Sequence, residues 1–318
     1  MRVLVHAPGP VEHGVVRHAR VVAGLAARHG ALPVEHGADL THAQFTDSLY
    51  PTDVAAAADA FLAWSRDAPR PLVTTLHDVP GSDPDPARDR RRVAGYARVA
   101  AACDAIVVSA RHEAAKVAKF GVRAEVIGLP VERWPDGGAA PTWTDRPTVG
   151  VLGFVYPGKG HAEAIDAAAR LPRPPRVVAI GAASPGHDGM LRDLRALAAR
   201  RGIDLVVTGS LSAADLAAAA RAATVALVGN ARVSASGSLA AWLGCGRRPL
   251  VARGEYAAEV ARSHPGALHP YDDDSELDAL LGAALADPPL TWLDGEQVWP
   301  DAGRAHAALY RRLLGPPC

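Results

Sequence analysis

Apolar and polar positions alternate in blocks along the whole chain. Short runs of β-branched and aliphatic residues, typical of buried strands, are separated by longer stretches in which apolar residues recur with helical spacing. This strand-then-helix order occurs in two successive series and favours βαβ units with parallel sheets, hence an α/β fold. The predicted strands of the first series span residues 2–7, 32–36, 41–45, 72–76, 105–109 and 125–129, and those of the second span 148–152, 177–180, 205–208, 225–228, 250–252 and 267–269.

Two segments near the ends of the chain have clear helical spacing. The first has apolar residues at positions 15, 19, 22 and 26, and Gly30 stands where a helix commonly ends. The second, residues 301–314, is predicted to be an amphipathic closing helix because its apolar positions share one face. These positions are Ala305, Ala308, Leu309 and Leu313.

The segment 132–147 interrupts both patterns. It is rich in turn-forming residues and has no periodicity, so it predicts a linker. We therefore expect two Rossmann-like, doubly wound domains, residues 1–145 and 146–300, with the helix of 301–318 added to the first. Two such domains facing each other across a cleft would bring strand ends and helix starts to either side of one ligand.

Composition narrows the class of protein. The 34 basic and 34 acidic residues leave no net charge that would indicate binding to nucleic acid or to an anionic membrane. The three cysteines, Cys103, Cys245 and Cys318, are widely spaced and odd in number, which favours a reducing compartment. The chain begins directly with a strand-like run, and no apolar stretch approaches the ~20 residues that a membrane span needs. We expect a cytoplasmic protein without a transmembrane segment.

Two glycine-containing loops have the character of anion-binding sites. In the stretch 236–246, small residues lead directly into a short apolar helix, whose free amides and positive dipole end favour an anion. In the loop 153–161, Lys159 stands between two glycines at a predicted strand-to-helix turn. The order of residues in this loop is not that of a Walker A motif. As part of an exposed loop, Lys159 is expected to contribute little to stability.

Six stretches carry a resemblance to a known family: residues 13–18, 73–78, 104–109, 153–161, 207–211 and 236–246. In this order they resemble those of GT-B glycosyltransferases, and they are most similar to the family 4 retaining enzymes over nearly the whole chain. The resemblance implies a first domain on the acceptor side, a second that binds the nucleotide sugar, and a C-terminal helix that crosses back to the first. It also implies a hexosyltransferase-type enzyme. Such an enzyme moves a sugar, with retention, from a nucleotide-diphosphate donor to a small-molecule or lipid-linked acceptor without a metal or other cofactor.

The resemblance also implies roles for individual residues. His77 matches a histidine that contacts the transferred sugar, and Lys159 would hold the diphosphate; these are the expected catalytic residues. Gly209 and Leu211 would border the nucleobase. The remaining expected donor-binding residues are Gly14 and Val15 in an N-terminal loop, Gly153 and Arg232, and Ser236, Gly237, Ser238 and Leu239, the last three through their amides.

The chain departs from the family pattern at three positions. The family carries two glutamates eight positions apart, and Val233 and Ala241 stand in their places. Phe154 replaces a basic residue of the second-domain loop. We expect Asn230, Arg232, Ser234 or Ser236 to substitute, with Arg232 restoring positive charge. The loss of both glutamates leaves open a non-catalytic relative that binds a nucleotide or a partner. A GT-B sugar epimerase is disfavoured because the motif loops carry no additional acid or base carboxylates.

Three other features have simpler interpretations. Asp272, Asp273 and Asp274 precede a helical pattern, so we interpret them as helix-capping residues and not as a metal site. The arginines between positions 88 and 92 are interpreted as a solvated helix face instead of a site for an anionic acceptor. Cys245 is expected to be a packed small residue.

Overall fold

The structure, a computed structural model, describes residues 1–50, 53–184, 186–295 and 297–315. The chain divides into two compact units, one comprising Met1–Pro130 with Trp299–Cys318 and the other comprising Val131–Val298. Cys318, counted above among the cysteines, lies outside the described residues. Within the described residues, no helix is long and apolar enough to cross a membrane.

Each unit contains one parallel sheet with helices around it. The strands are β1 Arg2–His6, β2 Leu32–Val34, β3 Leu40–Phe45, β4 Leu72–Leu76, β5 Ala105–Val108, β6 Ala124–Val126, β7 Thr148–Leu152, β8 Arg176–Ile180, β9 Leu205–Val207, β10 Val225–Val228, β11 Leu250–Ala252 and β12 His269–Tyr271. The helices are α1 Gly14–Ala27, α2 Val54–Ser65, α3 Pro86–Ala101, α4 Arg111–Ala118, α5 His161–Arg170, α6 Asp188–Arg201, α7 Ala213–Ala222, α8 Gly237–Gly244, α9 Glu255–Ser263, α10 Asp274–Ala286 and α11 Ala302–Leu314.

The two six-stranded sheets have the orders β2-β1-β3-β4-β5-β6 and β12-β11-β10-β7-β8-β9. The α/β prediction is therefore confirmed, and each predicted strand overlaps an observed one. The poorest agreement is at the last strand, which starts at His269 and not at residue 267. Ala267 and Leu268 are buried in the turn before it, and burial alone does not distinguish a turn from a strand.

In the first unit, the sheet separates two apolar clusters. Phe45 and Leu76 face α2 and α3, where Phe61 and Tyr96 pack against them. On the other face, the alternation of side chains along each strand directs Leu40 and Val73 toward α1 and α11. Positions 42 and 44 of β3 and 75 of β4 share this second face by the same alternation, although their residues are polar.

The predicted closing helix is present as α11. The Asp301 carboxylate caps it by accepting a hydrogen bond from the Arg304 amide at 2.8 Å. The predicted apolar face was partly wrong, because Ala308 is exposed whereas His306 and Tyr310 are 1% and 2% exposed. Both polar residues form hydrogen bonds in the interior, which periodicity of apolar residues does not reveal.

The turn-rich segment 132–147, interpreted from the sequence as a linker, belongs to the second unit. The Trp134 amide donates to the Gly244 carbonyl at 3.3 Å, and the Arg221 guanidinium donates to the carbonyls of Trp134 and Pro135 at 2.8 Å each. Trp143 is only 7% exposed. These contacts hold the segment on the second unit, so we place the boundary near Pro130 and not at residue 145.

Candidate functional site

Three neighbouring strands of the second unit end in glycine or threonine at one edge of the sheet. Gly153 follows β7 with φ 108°, and a Cβ on Gly181, after β8, would lie 2.2 Å from the Gly153 carbonyl oxygen. The Gly181 amide donates to Thr208 Oγ1 at 3.0 Å, and that hydroxyl donates to the Gly209 carbonyl at 3.0 Å. The carboxyl ends of these strands therefore approach closely, as at ligand sites of parallel sheets.

The loop between β7 and α5 is held by a close backbone contact. Gly160 adopts φ 104°, and a Cβ there would lie 2.7 Å from the Gly229 Cα. Gly158 also has a positive φ of 80°, but open space surrounds it. The contact between Gly160 and Gly229 fixes the loop against the residues after β10, and thereby fixes the backbone that carries Lys159.

Lys159 connects two stretches that are far apart in the sequence. Its Nζ donates a hydrogen bond to Ser238 Oγ at 2.9 Å, and a Cβ on Gly153 would lie 3.5 Å from Nζ. Ser238 Oγ is 3.2 Å from Ser236 Oγ. The structure thus brings together Gly153, Lys159, Ser236 and Ser238, which we call the lysine cradle.

Among the residues that the structure describes, the ammonium group of the lysine cradle has no anionic partner. Burial lowers the pKa of Lys159 to about 8, and within the described residues no carboxylate forms an ion pair with it. The expectation of an exposed loop lysine was wrong, because the side chain folds back toward α8. A desolvated cation gains free energy from a bound anion, so the cradle is suited to a phosphate.

The start of α8 supplies further donors. Ser236 is the N-cap residue, and its Oγ accepts a hydrogen bond from the Leu239 amide at 3.2 Å. The cap thus engages the Leu239 amide, which was expected to face the phosphates. The amides of Gly237 and Ser238 precede this bond in the first turn, where the helix dipole is positive.

The loop after β10 is ordered by local contacts. The Arg232 amide donates to Asn230 Oδ1 at 3.1 Å, and a Cβ on Gly254 would lie 1.9 Å from the Ala231 carbonyl oxygen. The Arg232 side chain is exposed. Gly209 lies at the carboxyl end of the strands described above. Leu211 is half-buried and directly precedes Ser212, the N-cap residue of α7.

In the first unit, His77 follows β4 and its surroundings fix it on several sides. Its amide donates to the Phe45 carbonyl at 2.9 Å, and its own carbonyl accepts from the Tyr96 hydroxyl at 2.9 Å. Its Nε2 lies 2.8 Å from Gln44 Oε1, and its ring meets that of His18 edge-on at 5.1 Å. Burial, reinforced by the nearby His18 and His13, holds the pKa of His77 well below its usual value, so the ring is neutral at pH 7.

The residue after His77 has an unusual backbone. Asp78 has φ 50°, in the left-handed region, and its carbonyl accepts a hydrogen bond from Arg92 at 2.9 Å. Arg92 forms two further hydrogen bonds, both 2.9 Å long, to the Asp47 carboxylate. The Arg92 side chain is only 15% exposed, so the interpretation of this arginine as part of a solvated face was wrong. Arg92 and Tyr96 are one helical turn apart on α3, and together they hold the backbone that carries His77.

The residues at the start of α1 differ from their expected position. Gly14 and Val15 are the first two helical residues and not part of a loop. The Val15 amide donates to His13 Nδ1 at 3.2 Å, so the preceding histidine caps the helix. This leaves the Val15 amide engaged within the first unit.

Two interpretations of single features are confirmed. The Asp273 carboxylate caps α10 by accepting from the Glu276 amide at 2.9 Å, while Glu276 Oε2 accepts from the amide of Asp272, the residue before the cap, at 2.8 Å. Cys245 is 5% exposed, as expected of a packed residue.

Solved structures share this architecture. HepE from Anabaena, crystallised with UDP and glucose, is 16% identical, with a TM-score of 0.68 and coverage of 99% of this chain and 95% of that chain. The fold is that of the GT-B glycosyltransferases. Sucrose-phosphate synthase from Thermosynechococcus elongatus is 16% identical, with a TM-score of 0.65 over 93% of this chain and 75% of that chain. WaaG, a glycosyltransferase involved in lipopolysaccharide biosynthesis, is 16% identical, with a TM-score of 0.59 over 99% and 97%. No protein-family model matches the sequence, and no curated protein matches it at a significant level.

Proposed function

We propose that this protein is a glycosyltransferase that uses a nucleoside-diphosphate sugar, and that the lysine cradle binds the diphosphate. The observation that carries the proposal is the desolvated Lys159 ammonium, which donates to Ser238 at the start of α8 and has no carboxylate partner among the described residues. The GT-B fold supports it, since HepE has been crystallised both with UDP and with UDP-glucose.

The cradle meets the chemical demand of glycosyl transfer. Negative charge grows on the leaving diphosphate as the bond to the sugar breaks, so fixed positive groups lower the barrier. Lys159 Nζ carries three N–H donors, of which Ser238 accepts one, and two remain for phosphate oxygens. The Gly237 and Ser238 amides add the positive end of α8. With this charge supplied by the protein, the proposed reaction needs no bound metal.

For the chemistry at the sugar, we propose the retaining mechanism of the family 4 enzymes that the chain resembles. There the leaving phosphate accepts the proton of the acceptor, and no protein nucleophile is required. We assign to His77 the role of contacting the transferred sugar, which a neutral ring can do through a hydrogen bond. Val233 and Ala241 offer no side-chain acceptors, so we assign sugar and ribose contacts to Asn230, Arg232 or Ser234. The proposed acceptor is a small molecule or a lipid-linked sugar.

A binding experiment tests the proposal directly. Thermal unfolding is measured with nucleoside diphosphates and nucleotide sugars, where a ligand at a hundred times its dissociation constant stabilises by ~2.7 kcal/mol. We expect at least one nucleotide to raise Tm for the wild type and for Lys119→Ala, whose exposed lysine is a matched control, but not for Lys159→Ala. Failure of every nucleotide to shift Tm would overturn the proposal, as would an unchanged shift in Lys159→Ala.

The absence of the two glutamates favours a second candidate, a GT-B protein that binds a nucleotide or a partner without transferring sugar. The two candidates differ in turnover. Transfer to an acceptor, or slow hydrolysis of the bound donor, supports the enzyme. Nucleotide binding that depends on Lys159 but is never followed by either reaction supports the binding protein.

A further inference from the structure

A row of buried polar side chains runs through the first unit from α11 to His77. Its members are at most 2% exposed and lie on the face of the sheet that packs against α1 and α11. Apolar residues would fill these positions without the cost of desolvating polar atoms. Paired polar groups at such a place therefore call for a functional explanation. The members are His42 and Gln44 on β3, Thr75 on β4 and Tyr310 on α11.

The hydrogen bonds of this row are continuous. The Tyr310 hydroxyl lies 2.7 Å from His42 Nδ1, and His42 Nε2 lies 2.8 Å from Thr75 Oγ1. The same His42 Nε2 is 3.2 Å from Gln44 Nε2, and Gln44 Oε1 is 2.8 Å from His77 Nε2. Parallel pairing of β3 and β4 places Gln44 opposite Thr75, so the sheet register itself aligns the row. We call these residues and their bonds the His77 relay.

The orientation of the Gln44 amide assigns the nitrogen that carries hydrogen on His42 and on His77. The amide of Gln44 has one end that only accepts and one that only donates. With its oxygen on His77, the hydrogen of neutral His77 must be on Nε2. With its NH₂ group on His42, Nε2 of that ring must be an acceptor, so Nδ1 of His42 carries hydrogen and donates to Tyr310. A reversed amide would exchange every one of these roles, so the two tautomers are coupled through Gln44.

The neighbouring buried histidine does not belong to the relay. The His306 ring lies 5.3 Å from that of His42, but its Nδ1 bonds back to the Ala302 carbonyl at 2.7 Å. It packs against the relay without offering Gln44 another partner. Gln44 is therefore the element that connects His77 to the interior.

We propose that Gln44, oriented by His42 and Tyr310, is a positioning residue that fixes the tautomer and ring orientation of His77. The inference rests on the proposed function for its catalytic consequence, because that function places His77 against the transferred sugar. Its structural content, a single tautomer imposed by Gln44, is independent of that function. The relay thereby keeps the Nδ1 lone pair of His77 available as a hydrogen-bond acceptor.

The direct test is the ¹⁵N NMR spectrum of histidine-labelled protein at pH 8, with the His77 signals assigned from a His77→Gln variant. We expect wild-type His77 to be a single tautomer with hydrogen on Nε2. We expect Gln44→Leu, which is close in size but lacks both polar ends, to give a mixture of tautomers. Tyr310→Phe removes only the hydroxyl and should shift His77 in the same direction, to a smaller extent.

Thr74→Val is a matched control. Thr74 carries a buried hydroxyl on β4, next to Thr75 of the relay, but it lies on the opposite face of the sheet, where Cys103 Sγ donates to it at 3.1 Å. This variant should leave the His77 tautomer unchanged even if it lowers Tm. If the protein is active, Gln44→Leu should lower kcat by about tenfold to a hundredfold with a smaller change in KM.

The outcomes separate the inference from the proposed function. An unchanged His77 tautomer in a folded Gln44→Leu protein overturns the inference, whether or not the protein transfers sugar. A tautomer change equal to that of Thr74→Val overturns it as well, since the effect would then be general to the core. If Gln44→Leu gives a tautomer mixture but the wild-type protein itself transfers no sugar, the result supports the inference and counts against the proposed function alone. If Gln44→Leu does not fold, Tyr310→Phe carries the same test.

Discussion

The two units have the same strand-and-helix architecture but place polar chemistry differently. In the second unit, β7 and β8 carry only apolar residues or glycine after their first residue, and the polar groups of the lysine cradle begin where the strands end. In the first unit, polar residues stand inside the fully buried strand β3, and His42 and Gln44 connect the interior to the strand end. A sheet interior without polar groups is compatible with a site made from loops. A sheet interior that contains polar groups lets the core set the tautomer and orientation of a side chain at the end of a strand, here His77.

The two units also differ in the charge of their half-buried and buried basic side chains. The first unit holds several histidines that burial keeps neutral, among them His18 and His42, whose pKa values are lowered; the second unit holds such a histidine too, His161, whose pKa burial lowers to about 4. The second unit holds a lysine that still carries charge near neutral pH, with a pKa of about 8. The first arrangement is suited to hydrogen bonds with a neutral sugar, and the second to an anionic diphosphate.

The largest expected effect is acid destabilisation of the first unit. The buried histidines have pKa values below that of an unfolded chain, about 4 for His18, so the unfolded chain binds more protons as the pH falls below 6.5. Stability is therefore full above pH 6.5 and decreases toward pH 4, by about 1–3 kcal/mol for a histidine with the pKa of His18. Hydrogen exchange as a function of pH measures this, and β3 and β4 should lose protection at higher pH than β7 and β8. If β7 and β8 lost protection at higher pH than β3 and β4, the proposed difference between the two units would be contradicted.

The second prediction concerns the charge of the lysine cradle. Lys159→Met removes the ammonium but keeps most of the side-chain volume, so turnover should fall by about a hundredfold or more. Without ligand the variant should be at least as stable as the wild type, because a desolvated cation is lost. Turnover and Tm measured together test this. A large drop in Tm would show that the lysine is mainly structural.

The third prediction tests the backbone contact that positions the cradle. Gly160→Ala adds a methyl group against Gly229, whereas Gly158→Ala has the same left-handed backbone strain but open space around it. We expect Gly160→Ala to be less stable than Gly158→Ala by about 1–3 kcal/mol, in line with overpacking elsewhere. Its nucleotide affinity should also be lower. Equal unfolding free energies of the two variants would mean that the Gly229 contact does not constrain the loop.

The fourth prediction concerns the network that holds the backbone of His77. Arg92→Lys keeps the charge but loses the paired hydrogen bonds to Asp47 and the contact with the Asp78 carbonyl. We expect about 1–2 kcal/mol less stability and a lower kcat, with nucleotide binding at the lysine cradle unchanged. Denaturant unfolding and nucleotide titration measure the two quantities. Weaker nucleotide binding would contradict the separation of roles between the regions.

The smallest expected effect is that of metal removal. We propose that Lys159 and the start of α8 supply the positive charge on the diphosphate, so EDTA should leave turnover unchanged within error. Activity that is lost with EDTA and restored by a divalent cation would show that the cradle is not sufficient.

The limits of sequence-based prediction are visible at particular residues. The pairing of Lys159 with the 236–239 stretch joins positions 79 residues apart, and the glycine and helix-start signals singled out each of the two loops separately. The half-buried position of Lys159 and its lowered pKa were not predictable, because a flexible side chain takes its environment from the fold. Arg92 was misread for the same reason, since its place in a run of arginines does not show which of them reaches Asp47. Ser236 as the N-cap could have been anticipated from its helix-start position, and with it the hydrogen bond that engages the Leu239 amide.

By itself, the sequence determined the elements and their order, because β-branched runs, helical spacing and turn residues act locally. It also determined which loops have the composition for binding an anion. Only the tertiary structure decided the state of the polar groups: a lysine whose pKa is lowered by burial in one unit, and a glutamine that connects two neutral histidines in the other. Burial and hydrogen-bond pairing set these states, and both depend on residues that are brought together from distant positions in the chain.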